Sequence, residues 1–221
     1  HGLSQPRELT EPEIAELVRA FGAAAKRAVQ AGFDFVELHA AHGYLVHQFL
    51  SPISNHRNDR YGGDFTGRTR FITEVITSIK TNLPAGFPLS VRISATDWVD
   101  GGWDIEQSVE LAKIMKELGV DLIDVSSGGS VHDAKIPIGP GYQTEFAERI
   151  KREVGITVST VGYYESADFA NSAVVNNRAD IVMIGRAALR NPRFPLQAAA
   201  ELRADVTWPK SLALGKPRPA K

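Results

Sequence analysis

The sequence predicts an α/β fold in which a parallel sheet is covered by helices. Three observations predict it. Short β-type runs alternate with amphipathic helical runs along the chain. The strand-like runs are short and mostly apolar, as strands covered on both faces are. And 43% of the 221 residues are hydrophobic, enough to supply a core. The runs give about five strands, which suits either an open doubly wound sheet or part of a (β/α)8 barrel.

The elements follow in order. Thr10 and Glu13 form a capping box, with Pro12 in the first turn, where it is tolerated. Ile14, Leu17, Val18, Phe21, Ala25 and Ala28 continue as a helical stripe, and Gly32 is expected to cap its end. Residues 33–39 read as the first strand, and residues 51–67 as an extended polar loop. Phe71, Ile72, Val75, Ile76 and Ile79 mark the next helix, before a strand at residues 88–94. Asp104 with Gln107 caps a helix that Gly119 closes, and residues 121–127 form the third strand. Thr144 opens a helix to residue 154. A strand at 156–161, a helix capped by Ser166 and a strand at 180–184 follow. The last helix is expected over 192–204, and an irregular tail over 205–221 with Pro209, Pro217 and Pro219. No repeat or low-complexity stretch divides the chain, so residues 1–221 read as a single domain.

Composition excludes several classes. With 25 Lys+Arg against 26 Asp+Glu the net charge is −1, which gives no electrostatic case for nucleic acid or an anionic membrane. Cysteine is absent, which excludes a disulfide framework, a thiolate metal site and a cysteine nucleophile, and is compatible with the cytoplasm. No run approaches the ~20 apolar residues of a membrane span. His1-Gly2-Leu3-Ser4 lacks a signal-peptide profile and an initiating methionine, so the natural start is expected elsewhere.

Three groups of residues can carry chemistry. His39 and His42, with Tyr44, lie where the first strand ends, the end at which parallel α/β folds place their sites. If the chain turns helically there, both imidazoles point to one side and can donate to one substrate oxygen, while the phenol can deliver a proton. A pair of helix-start histidines satisfied by backbone groups suits the spacing equally, and a metal site lacks an obvious third ligand. Arg92 stands inside an apolar strand, where it needs an anionic partner: a barrel carboxylate or a ligand. Glycines follow successive strands at Ser127-Gly128-Gly129, Gly162 and Gly185-Arg186, where backbone N–H groups and a guanidinium can hold a phosphate. Residues 54–63 read, on composition, as a solvated loop. His132 and Tyr142 lie in the loop after the third strand and could reach the mouth of a barrel. Position does not decide whether Trp98, Trp103 and Trp208 are core or cleft.

The run from Ala31 to Leu45 resembles the core motif of the Old Yellow Enzyme flavoproteins. Phe49-Leu50-Ser51-Pro52, Asn55-x-Arg57-x-Asp59-x-Tyr61-Gly62-Gly63, Arg68-x-Arg70-Phe71, Val91-Arg92-Ile93-Ser94, Asp124-Val125-Ser126-Ser127-Gly128 and Ile184-Gly185-Arg186 continue the likeness across about residues 8–200. His39-Ala40-Ala41-His42 and Pro140-Gly141-Tyr142-Gln143 are similar to the bacterial, thermophilic-like branch. Phe65-Thr66-Gly67-Arg68 departs from the family's usual Glu-Asn-Arg.

The resemblance implies a (β/α)8 TIM barrel, of which the chain supplies about the last five βα units. It implies an FMN-dependent ene-reductase that uses NADPH or NADH on α,β-unsaturated carbonyl or nitro compounds. His39 and His42 would hold the activating oxygen and Tyr44 would protonate the α-carbon. Arg92 would lie beside the flavin's pyrimidine edge, Gly162, Gly185 and Arg186 at its phosphate, and Ser127 and Gly128 along its ribityl chain. The family's earlier strands, with further flavin contacts, have no counterpart after His1. Open sheet edges then imply a homo-oligomer or complementation by N-terminal strands. A non-catalytic half-barrel and a metal-dependent lyase using His39 and His42 are the alternatives.

Overall fold

The computed structural model describes residues 7–217, so the expectations for His1–Ser4 and Pro219 lie outside it. In chain order the elements are α1 (Glu11–Gln30), β1 (Val36–Ala40), α2 (Leu45–Leu50), α3 (Phe65–Asn82), β2 (Leu89–Ser94), α4 (Ile105–Glu117), β3 (Leu122–Ser126), α5 (Thr144–Val154), β4 (Thr157–Val161), α6 (Ala167–Val175), β5 (Ile181–Met183), α7 (Arg186–Arg190) and α8 (Phe194–Glu201). A 3-10 helix at Lys210–Gly215 interrupts the tail that was expected to be irregular.

The strands pair in parallel in the order β1-β2-β3-β4-β5. A doubly wound sheet would reverse its order at a switch point, and this one never does. Sequential parallel strands are the pattern of a (β/α)8 barrel, and the chain supplies five of its βα units. The register explains the division of labour. Leu38, Val91, Ile123 and Val158 align across four strands and are buried against the helices. One residue further on, His39, Arg92, Asp124 and Ser159 align on the opposite face. β2 therefore alternates strictly, and its inner face is polar rather than apolar as expected from the run. The core sits between the outer strand faces and the helices, around Ile14, Phe71, Ile72, Val75, Ile76, Leu111 and Met115.

The boundaries differ from expectation in instructive ways. β1 begins at Val36, where its ladder with Leu89 begins, and leaves Phe33 and Phe35 outside it and exposed. Gly32 lies one residue past the actual C-cap of α1, Ala31, and supplies the left-handed step with φ +86°. The expected helix over 192–204 is present as α8, trimmed to Phe194–Glu201, and an unexpected short helix, α7, precedes it directly after Gly185. Residues 54–63 are not a solvated loop. Asn55 is buried and its Nδ2 donates to the carbonyls of Phe49 (2.6 Å) and Tyr61 (2.8 Å). Arg57 reaches Asp59 and the Leu9 carbonyl, and the buried Tyr61 hydroxyl donates to Glu74 at 2.8 Å. Asp64 then accepts from the Gly67 N–H and starts α3.

Candidate functional site

The site is built where β1 ends. The chain leaves Ala40 and turns into α2 through two left-handed residues, His42 (φ 59°) and Gly43 (φ 74°). A non-glycine residue held there costs about 1–3 kcal/mol and persists only when its surroundings enforce it. Here they do. The His42 N–H donates to Ser94 Oγ at 2.9 Å, and Ser94 Oγ donates to the Gly128 carbonyl at 2.7 Å. The Gly43 N–H donates to His47 Nδ1 at 2.9 Å. A Cβ on Gly129 would lie 2.5 Å from His42 Cα, so the loop after β3 packs backbone to backbone on this turn.

His39 is a strand residue and His42 a turn residue, so no helical i, i+3 relation exists between them. They meet all the same, because the turn folds His42 back over the strand end. Their ring centroids are 5.3 Å apart, and Tyr44 sets its ring edge-on to His39 at 5.3 Å. His42 Nε2 lies 2.8 Å from Ser126 Oγ, which fixes that ring. Burial, reinforced by Arg92 and by the other histidines, pushes the His42 pKa down to about 4. Burial and then Arg92 lower His39 as well. The cluster is therefore a pair of neutral imidazoles beside an exposed phenol. Among the described residues no group of three or more His, Asp or Glu side chains is placed to hold a metal ion.

Of the two partners considered for it, Arg92 meets the barrel carboxylate in the structure. Its Nε faces the fully buried Asp124 Oδ2 at 3.3 Å, and Asp124 Oδ1 accepts from Ser159 Oγ at 2.5 Å. The guanidinium also lines a cleft of about 180 Å³ shared with Ser126, Tyr142, Gly162, Gly185 and Arg186. Gly162 has φ +141°, and a Cβ there would meet the Tyr142 ring at 3.1 Å; the space in front of Gly185 is open. Arg186 lies 4.5 Å over the Tyr163 ring, donates to its hydroxyl at 3.1 Å and forms no salt bridge with a described residue.

Other expected residues are placed differently. Ser127 and Gly128 are buried but do not line this cleft. Ser127 Oγ is engaged by Gln143 Oε1 at 2.6 Å, and Gly128 packs under Trp98 and Ile136. Trp103 is core, its Nε1 donating to Ser108 at 2.6 Å, while Trp98 is half-buried. His132 is exposed, and Tyr142 lines the cleft. Two residues that sequence reasoning gave no role are central. Ser94 ties two loops together. Gln143, 2% exposed, joins Ser126, Ser127 and the Val161 carbonyl. Only its place in the Pro140–Gln143 motif marked Gln143 beforehand.

The site can be set beside known proteins. The model of the NADH:flavin oxidoreductase / NADH oxidase family matches residues 2–205. A protein named NADPH dehydrogenase from Bacillus velezensis is 48% identical over 92% of this chain. Its namesake in Bacillus subtilis (strain 168) is 47% identical over the same share. The chain spans 60% of the length of these relatives. Among solved structures, 2-naphthoyl-CoA reductase superposes with a TM-score of 0.80 at 30% identity, covering 86% of this chain and 29% of that one. Morphinone reductase superposes with a TM-score of 0.76 at 29% identity, covering 95% and 55%.

Proposed function

Because the chain belongs to the NADH:flavin oxidoreductase / NADH oxidase family, we propose that it carries the substrate-activating and phosphate-holding part of an FMN-dependent reductase of activated C=C bonds. The substrates are α,β-unsaturated carbonyl or nitro compounds, and the reductant is NADPH or NADH. The observation that carries this reading is the convergence of His39, His42 and Tyr44 next to the cleft of Arg92, Gly162, Gly185 and Arg186.

The residues fit a flavin mononucleotide. Arg186 has no carboxylate partner among the described residues, and it borders a cleft lined by Gly162 and by the exposed, open backbone of Gly185. That is phosphate-binding chemistry. Arg92, ion-paired through Nε with Asp124, lines the same cleft, where a guanidinium suits the electron-rich edge of the ring. Gln143, which lines the cleft, is held by Ser127, whereas Gly128 packs under Trp98 and Ile136, so of the two only Ser127 bears on the cleft, through Gln143. When bound, the flavin supplies the hydride that adds to the substrate's β-carbon after reduction by the nicotinamide.

The chain's own residues do the rest. His39 and His42 hydrogen-bond the carbonyl or nitro oxygen and stabilise the negative charge that develops there. Their lowered pKa values keep them neutral, so neither gives up a full proton to that oxygen. The exposed Tyr44 phenol delivers the proton to the α-carbon, which balances the hydride added at the β-carbon.

The purified chain, incubated with FMN, is expected to hold the flavin through a desalting column. Under nitrogen NADPH should then bleach it, and 2-cyclohexenone should restore the colour. Arg92→Ala is expected to weaken FMN retention. A chain that retains no FMN overturns the reading for this chain, and a bleached flavin that no enone reoxidises overturns the substrate class.

A further inference from the structure

Beneath the His42–Gly43 turn lies a buried pair to which the proposed reaction gives no role. His47 and Asp97 are both fully buried. His47 Nδ1 accepts the Gly43 N–H at 2.9 Å and lies 3.0 Å from Ser130 Oγ. A ring nitrogen that accepts carries no proton, so the imidazole proton resides on Nε2. Nε2 faces Asp97 Oδ1 at 3.2 Å, and neither atom has another partner among the described residues. Asp97 Oδ2 in turn accepts from Ser51 Oγ (2.5 Å) and the Trp103 N–H (2.8 Å). Burial opposes ionisation of this carboxyl, but the His47, Ser51 and Trp103 hydrogen bonds outweigh it and hold its pKa below the ordinary range.

The pair joins three successive loops: Gly43 after β1, Asp97 after β2 and Ser130 after β3. His47 is the third residue of α2, a position from which a side chain can return to backbone ahead of the helix. The N-cap residue, Tyr44, makes no capping bond of its own. A left-handed turn, a helix start and two neighbouring loops thus depend on one imidazole held in one tautomer.

We propose that His47, its tautomer set by Asp97, is a positioning residue that fixes the His42–Gly43 turn and with it the His42 ring and the Tyr44 phenol. The proposal rests on the reading of those two rings as substrate-facing. Its primary tests need no flavin, so the two can fail separately.

Imidazole nitrogen NMR of the isotope-labelled chain should show His47 protonated at Nε2 and unprotonated at Nδ1; a protonated Nδ1 overturns the proposal. The Gly43 amide gives the second readout. His47→Asn keeps an acceptor near the Nδ1 position, whereas His47→Gln moves the polar end toward the Nε2 position. Loss of one hydrogen bond corresponds to about tenfold. Gly43 hydrogen exchange should therefore be about tenfold faster in His47→Gln than in His47→Asn. A space-filling role would favour glutamine, the closer match in size, so equal or reversed rates overturn the proposal. Asp97→Asn turns one acceptor into a donor. It should shift the His47 proton to Nδ1 and speed Gly43 exchange; an unchanged tautomer overturns the part given to Asp97. In the FMN-loaded chain, 4-hydroxybenzaldehyde affinity should fall in His47→Gln and hold in His47→Asn, and an equal fall in both counts against the proposal. If the parent itself binds no phenol, the functional reading fails while the tautomer and exchange data still decide the inference.

Discussion

His42 combines two costs, a left-handed backbone and a desolvated ring, and the second makes a measurable demand on pH. In the unfolded chain the imidazole takes up a proton near its ordinary value of 6.5; in the folded chain it does so only near 4. Between these values the unfolded state binds more protons, so folding stability falls as pH drops through this window and levels off below it. Thermal unfolding midpoints are expected to decline across the window, and to decline less in His42→Gln. Equal declines would show that the ring is not held neutral. The candidate cluster was legible because His39, His42 and Tyr44 are close in sequence and lie at a strand end. Its geometry was not, since positive φ at a histidine has no local signature and depends on Ser94 and Gly129, 52 and 87 positions away. The role of Gln143 was hidden for the same reason: it reaches Ser126 across 17 residues, by a loop that folds back.

At the scale of elements, local chemistry was a good guide where a side-chain cap stands directly before an amphipathic run. Asp64, Asp104 and Ser166 each accept from the backbone N–H three residues on. Asp104 and Ser166 stood out as caps. Asp64 did not, because it ends a stretch whose composition suggested solvent. Asp64→Ala is expected to destabilise the fold by about 1 kcal/mol in urea titration, and no change would deny it a capping role. The strand ends were less legible, since a ladder stops where its neighbour stops. Glycines in left-handed turns separate into two kinds that sequence alone does not tell apart. At Gly32 (φ +86°) an added Cβ meets nothing within 4 Å, so Gly32→Ala should cost about 1–2 kcal/mol, the backbone penalty alone. At Gly129 (φ +94°) the same atom would lie 2.5 Å from His42 Cα. Gly129→Ala should therefore cost about 3 kcal/mol or more, from strain together with overlap. Equal losses in the two variants, read from denaturant midpoints, would mean that the β1 and β3 loops are not in register.

The whole molecule is governed by its open sheet. The order β1-β2-β3-β4-β5 leaves β1 and β5 with one strand neighbour each among the described residues. Edge strands offer unpaired backbone groups, and natural proteins protect them with charge, distortion or cover. Here the first edge is flanked by Phe33 at 63% and Phe35 at 43% exposure, beside an apolar groove lined by Phe21, Ala24 and Ala28. At the other edge Ile181 is 43% exposed. Edge strand β5 is blunted by its three-residue length and β1 carries Glu37, but neither covers these exposed apolar side chains, and apolar surface of this sort drives association. The 24.1 kDa chain by itself is therefore expected to self-associate at micromolar concentration. Sedimentation velocity should show species heavier than the monomer. Phe33→Lys with Phe35→Lys should shift them toward the monomer while the far-ultraviolet circular dichroism stays the same, because both residues lie outside β1 and outside the core. The site stands at the C-terminal ends of the strands and the two phenylalanines precede the start of β1, so the charged variant should also keep whatever FMN affinity the parent has. A parent that remains monomeric at every concentration would show that the exposed edges need no partner, and would detach the question of assembly from that of flavin binding.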